Sequence, residues 1–141
     1  MEYTLVKNRL PQGAEAVRRA VFMEEQGFTV EFDEIDQRAF HGLLTEGGKP
    51  IATFRLFRGR EPGIYILGRV CVVREKRHLH LGTLLLQHAE AEALKEGARE
   101  IRLCAQVRAS HFYETQGYAS YGPIADQEGV PHQWMKKSLV Q

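Results

Sequence analysis

At 141 residues, with 43% hydrophobic and 26% charged side chains, the chain is long enough for one domain around a real core and has an ordinary soluble globular mix. A formal net charge of +1 argues against a protein whose main business is coating nucleic acid, and equally against an acidic solvating tail. The sequence has no run of about eighteen apolar residues, so no transmembrane helix is expected, and its opening MEYTLVKNRLPQG is polar and alternating, unlike a signal peptide.

The two cysteines, Cys71 and Cys104, fall in apolar strand-like segments and read as buried free thiols of a reducing cytoplasm. In chain order, Tyr3-Thr-Leu-Val predicts a short strand. Residues 14–25 carry Ala14, Val17, Val21 and Phe22 at helical spacing. Residues 39–46 and 51–58 predict a hairpin across the turn EGGKP, and IYILGRVCVV (64–73) predicts a buried central strand. Leu81, Leu85, Ala89 and Ala93 fall four apart on a helix running from 81 to 96, stopped at Gly97. A strand at 101–107, a short helix at 109–116, a polar loop at 122–131 and a last strand at 132–139 complete the chain.

The order β α β β β α β α β predicts a single domain over residues 1–141, of mixed α/β class. The β-loop-α-β crossover at 64–107 makes two strands parallel, and the flanking hairpins make the rest of the sheet antiparallel.

The loop of that crossover, REKRHLHLGT (74–83), carries the chemistry. A loop from a buried strand to a helix start is a natural anion site, because the first helical N–H groups lack partners and the helix dipole is positive there. Gly82 leaves the backbone open to a ligand, Thr83 offers a hydroxyl, and Arg74, Lys76 and Arg77 add mobile positive charge. Walker A and G-x-G-x-x-G patterns are absent. His78 and His80 have no third or fourth ligand at useful spacing, so no metal is expected. A solvated charge run remains the alternative.

The combination resembles the GNAT family, the Gcn5-related N-acetyltransferases. Their phosphate loop, R/Q-x-x-G-x-G/A, corresponds to Arg77-His78-Leu79-His80-Leu81-Gly82, with His80 where the family usually has its first glycine. Their next motif, A-x-x-F-Y-x-x-x-G-F/Y, corresponds to Ala109-Ser-His-Phe112-Tyr113-Glu-Thr-Gln-Gly117-Tyr118. AVFMEEQG (20–27) is similar to a segment of some small bacterial members.

The resemblance implies a central sheet with helices on both faces and an acetyl-CoA-dependent transfer to a primary amine of a small molecule, by direct attack in a ternary complex. Arg69 is read first as a structural salt-bridge residue; facing the acceptor pocket, it would instead bind an anionic acceptor such as an amino-sugar phosphate. A non-catalytic acyl-CoA-binding relative is the alternative reading. The resemblance assigns Val70, Cys71 and Val72 to the pantetheine arm, and Arg77, His78, Leu79, His80, Leu81, Gly82 and Thr83 to the pyrophosphate. It makes Tyr113 the general acid.

The attacking amine must lose a proton, so a base is needed. No carboxylate stands at Leu67-Gly68-Arg69, which moves the candidates to Glu24, Glu25, Glu34, Asp36 and His41. Glu25 and Gln26 are read as lining the acceptor pocket, with Glu25 the base candidate. Cys104 is read as core, His111 and His132 as surface or loop, and Trp134 as core or dimer interface. The expected setting is cytoplasmic, without nucleic-acid or membrane partners, and a homodimer is in keeping with the family.

Overall fold

The structure, a computed structural model, describes residues 1–140. Eight strands form one sheet in the order β1-β2-β3-β4-β5-β8-β6, with β7 also on β8. They are β1 Glu2–Lys7, β2 Phe40–Glu46, β3 Lys49–Arg58, β4 Ile64–Val72, β5 Glu100–Gln106, β6 Ala119–Ser120, β7 Ala125–Gln127 and β8 Val130–Ser138. The helices are α1 Gln12–Arg18, α2 Leu81–Lys95 and α3 Ser110–Thr115. Only β4 and β5 run parallel, as the crossover requires.

The strand alternation assigns the two helical faces. Gly13 of α1 lies against Leu43, whereas His88 of α2 stacks on Tyr3, the register partner of Leu44. Leu43 and Leu44 point to opposite faces of β2, so α1 and α2 cover opposite faces. On its side α2 buries Leu81, Leu85, Leu86, Ala89 and Ala93, the stripe expected from the sequence plus Leu86.

Three local features depart from the expected pattern. The helix expected over 14–25 winds as α only to Arg18 and as a π-helix from Arg19 to Glu25, where the Gln26 N–H donates to Val21 O at 3.1 Å. The polar loop expected at 122–131 holds β7, and β6 lies just before it. Both are fully exposed and lack the alternation that announces a half-buried strand, since they gain their structure from pairing with β8. The third is a bulge in β4: Thr53 pairs with Cys71 and Arg55 with Gly68, so Phe54 alone opposes Arg69 and Val70. Arg69 takes φ +53° there.

β8 also corrects three side chains. Trp134 is 38% exposed, outside the core, and Cys104, its register partner, is half-buried on the same face. His132 is buried, and its ring Nδ1 donates to Val130 O at 2.8 Å.

Candidate active site

Parallel pairing of β4 with β5 stops at Leu67 and Leu103, while β4 continues to Val72 and β5 to Gln106. Beyond Leu67 the strands part and leave a gap. The Val73 N–H donates to Ile51 O of β3 at 2.9 Å, so the alternation turns the N–H and C=O of Val72 the other way, into the gap. A strand edge with free peptide groups accepts an extended ligand as an added strand.

The gap opens onto the start of α2, beside a cleft of about 400 Å³. Val72, Arg77, His78, His80, Leu81, Gly82 and Thr83 line it, as do Lys76, Phe112, Thr115 and Gln116. Leu79 points out to solvent and Val70 and Cys71 lie off this cleft. His78 and His80 both adopt left-handed backbone, at φ +68° and +59°. His80 is the N-cap of α2 and makes no side-chain capping bond, so its backbone alone starts the helix. The N–H groups of Leu81, Gly82 and Thr83 in the first turn have no acceptor within the helix. Gly82 has a packing reason as well: a Cβ there would come to 3.1 Å from the Phe112 ring of α3.

The expected mobile positive charge is not mobile. Lys76 pairs with Glu46 at 2.6 Å and Arg74 with Glu25 at 3.3 Å. Arg77 grips Glu25 with both terminal nitrogens, at 2.6 and 2.7 Å, and its Nε donates to Val72 O at 3.1 Å. Arg77 therefore ties the loop to the end of the π-helix. Its hydrogen bonds hold the Glu25 carboxyl down at about 2.

A family model for the acetyltransferase (GNAT) domain matches residues 8–139. The chain belongs to the GNAT acetyltransferases. A Bacillus subtilis protein provisionally named an acetyltransferase is 32% identical over 128 residues, 86% of this chain and 84% of that one. A Lactobacillus plantarum protein provisionally named an N-acetyltransferase superposes with a TM-score of 0.87 at 30% identity, covering 99% of this chain and all of that one. An aminoglycoside 6′-N-acetyltransferase solved with coenzyme A shares the fold at a TM-score of 0.79 and 14% identity, over 100% and 98% of the two chains.

Within this GNAT domain, Tyr113 is buried on α3 between Phe112 and Tyr118, whose rings meet it edge-on. Burial and the nearby Cys71 thiol push its phenol well above the ordinary value, so it keeps its proton at neutral pH and is available as a donor. Burial likewise pushes the Cys71 thiol far up, which removes it as a thiolate nucleophile.

The α1 side of the gap is built from charges. Arg18 reaches Glu31 at 2.9 Å and Asp36 at 2.7 Å, at 1% side-chain exposure. Arg55 reaches Asp33 at 2.7 Å and Asp36 at 3.1 Å. Arg69 reaches Glu31 at 2.9 Å, and His41 is bound to Asp36 O. Burial opposes ionisation of Asp36, but Arg18 and Arg55 outweigh it and leave the carboxyl below its ordinary value. Burial lowers His41. Of the base candidates, Asp36 and His41 are thus sealed inside this network, Glu25 is bound to Arg77, and Glu24 and Glu34 face solvent.

Sequence reasoning missed Arg18, Glu31 and Arg55 as part of the site. A faint signal existed for the arginines: Arg18 occupies a slot of the apolar stripe four after Ala14, and Arg55 interrupts the apolar strand IATFRLF.

Proposed function

We propose that the protein transfers an acetyl group from acetyl-CoA to the primary amine of a small molecule, by direct attack in a ternary complex. The observation that carries this reading is the gap beyond Leu67 and Leu103, with the Val72 N–H turned into it and unpartnered helix N–H groups at its end. These groups fit the cosubstrate: Val72 offers strand-edge pairing to an amide-bearing arm, and the amides of Leu81 to Thr83 offer anion contacts to a pyrophosphate. Acetyl-CoA held there supplies an activated thioester.

The Val72 N–H serves as donor to the acyl oxygen, which gains negative charge during transfer. Tyr113, neutral and shielded from water, donates its proton or a hydrogen bond to the departing sulfur. Glu25 is too acidic to take the amine proton at neutral pH and instead holds the loop through Arg77. With Asp36 and His41 sealed, a water molecule in the gap is the favoured proton acceptor. Arg69 is committed to Glu31, which withdraws the support for an anionic acceptor such as an amino-sugar phosphate.

Thermal melts with millimolar acetyl-CoA, followed by thiol release across a panel of primary amines, test the reading. Saturation to a hundred times Kd stabilises the folded state by about 2.7 kcal/mol. The absence of both a Tm shift and amine-dependent thiol release would overturn it.

A further inference from the structure

Residues 26–31 make an excursion that the cofactor site does not require. The segment starts from Glu25 at the end of the π-helix, which is bound to Arg77 of the loop after β4. At Gln26 it meets the end of β5, where Gln106 Nε2 donates to Gln26 Oε1 at 2.8 Å. At Phe28 it meets β8, its ring edge-on to His132 at 6.3 Å. At Thr29 and Val30 it meets the tip of the β7–β8 hairpin. At Glu31 it is back beside β4, bound to Arg69 and Arg18. The segment thus crosses the β4–β5 gap on the α1 face and returns.

The farthest point is held by one side chain. The Glu128 carboxylate accepts the Thr29 N–H at 3.1 and 3.2 Å, the Thr29 hydroxyl at 2.6 Å and the Val30 N–H at 3.2 Å. Glu128 and Gly129 are the two central residues of the tight turn between Gln127 and Val130, at φ +50° and +82°. Such a turn favours Asn, Asp or Gly at its first central position. A glutamate there carries a backbone cost that its local geometry does not explain, and its longer side chain spans the distance to Thr29.

We propose that residues 26–31 form a strap over the acceptor side of the gap, that Glu128 clasps it, and that Glu128 is thereby a positioning residue setting the size of the acceptor amine. The strap is pinned inside by arginines and outside by Glu128. The acceptor side is then a closed slot that admits an amine end-on and excludes a polypeptide lying across it. This rests on the acetyl-transfer reading above, and it deepens that reading by assigning the acceptor to compact small molecules.

The test uses the full chain as wild type, Glu128→Ala and Glu128→Gln. Amide hydrogen exchange at Thr29 and Val30 should speed up at least about tenfold in Glu128→Ala and less in Glu128→Gln, whose amide oxygen still accepts. Kinetics are run on ethylamine, glucosamine, kanamycin and a lysine-containing peptide. Loss of the clasp should raise KM for the smallest amine that turns over by about tenfold, leave KM for acetyl-CoA unchanged, and raise the relative rate of the bulkier acceptors. Unchanged exchange at both amides overturns the clasp. Equal rises in both KM values, or an unaltered size preference, overturn the specificity role. If wild type acetylates no amine in the series while binding acetyl-CoA, the transfer reading and the specificity role fall together, and exchange still decides the clasp.

Discussion

On the cofactor side of the gap, the loop from Arg74 to His80 is largely exposed, takes two left-handed histidines, and is held at its base by the grip of Arg77 on Glu25. On the acceptor side, Arg18, Arg55 and Arg69 face Glu31, Asp33 and Asp36 in a network buried at Arg18, Arg55, Glu31 and Asp36 and open to water at Asp33 and Arg69. The first arrangement presents backbone donors to a ligand and keeps its side chains aside. The second uses charged side chains as scaffold, with no cation left over for a substrate. A loop that binds phosphate through N–H groups tolerates exposure, because the ligand completes it. A strap that shapes a slot must be rigid before the ligand arrives, and buried ion pairs supply that at the cost of desolvation and of leaving Arg55 Nε without a partner.

The comparison breaks most visibly at Arg18. Arg18→Met removes the arginine shared by buried Glu31 and Asp36 and leaves each with one other, Arg69 and Arg55, and about 3 kcal/mol of stability should be lost in urea unfolding. A loss under about 1 kcal/mol would mean that the network is solvated and not a scaffold. Acid tests the same point. Burial opposes ionisation of Asp33 and Asp36, yet the arginines lower both carboxyls beneath the ordinary 3.8. Groups depressed in the folded state contribute their stability above the unfolded value and lose it as pH falls through the folded values. Wild-type Tm should therefore fall on acidification below about pH 4, and fall less in Arg18→Met.

Tyr113→Phe separates chemistry from binding. It should lower kcat by about a hundredfold or more, with the acetyl-CoA Kd unchanged, since only a donor to the leaving sulfur is removed. Comparable kcat in the variant would leave Tyr113 as a packing aromatic between Phe112 and Tyr118.

The unit of β4, its loop and α2 was legible in the sequence because its parts are local. A β-branched run, a loop and a four-spaced helical stripe lie in consecutive residues, and the order of elements follows from periodicity. The acceptor side was not. The arginines stand out as charges in apolar elements, but their convergence depends on the register of β3 with β4, on the bulge at Arg69 and on the path of residues 26–37. Gln26 with Gln106 and Thr29 with Glu128 are 80 and 99 residues apart in the chain. No local pattern encodes such pairs. The same limit explains Glu25, whose place beside Phe22 suggested an acceptor residue. Its partner Arg77 is 52 residues away and makes it a brace of the cofactor loop.

That brace gives a smaller effect with a distinct signature. Glu25→Gln keeps the side-chain length and removes the charge that Arg77 and Arg74 share. KM for acetyl-CoA should rise about tenfold while kcat stays within about a factor of two, the split expected when a loop loses its resting position and the chemistry does not. A fall in kcat with unchanged KM, together with a lost basic limb in the pH profile, would return Glu25 to the role of base.

The smallest expected effect sharpens the comparison at His80. Its backbone at φ +59° and ψ +26° is the conformation that glycine reaches freely, and the family's usual glycine at this position has that physical reason. A side chain in left-handed backbone costs about 1–2 kcal/mol, and glycine gives back about 0.5–1 kcal/mol in unfolded-chain entropy. His80→Gly should therefore stabilise by up to about 1 kcal/mol, a Tm rise of about 1–4 °C. Acetyl-CoA affinity decides what the histidine does. If the ring only crowds the cleft that it lines, the glycine variant binds more tightly, and His80→Ala, which keeps the strain but removes the ring, binds more tightly too. If the imidazole contacts a phosphate, both variants bind more weakly. The first outcome keeps the cofactor side a backbone cradle, as the ion pairs of Arg74, Lys76 and Arg77 imply. The second gives that side one working charge and ends the contrast with the acceptor network.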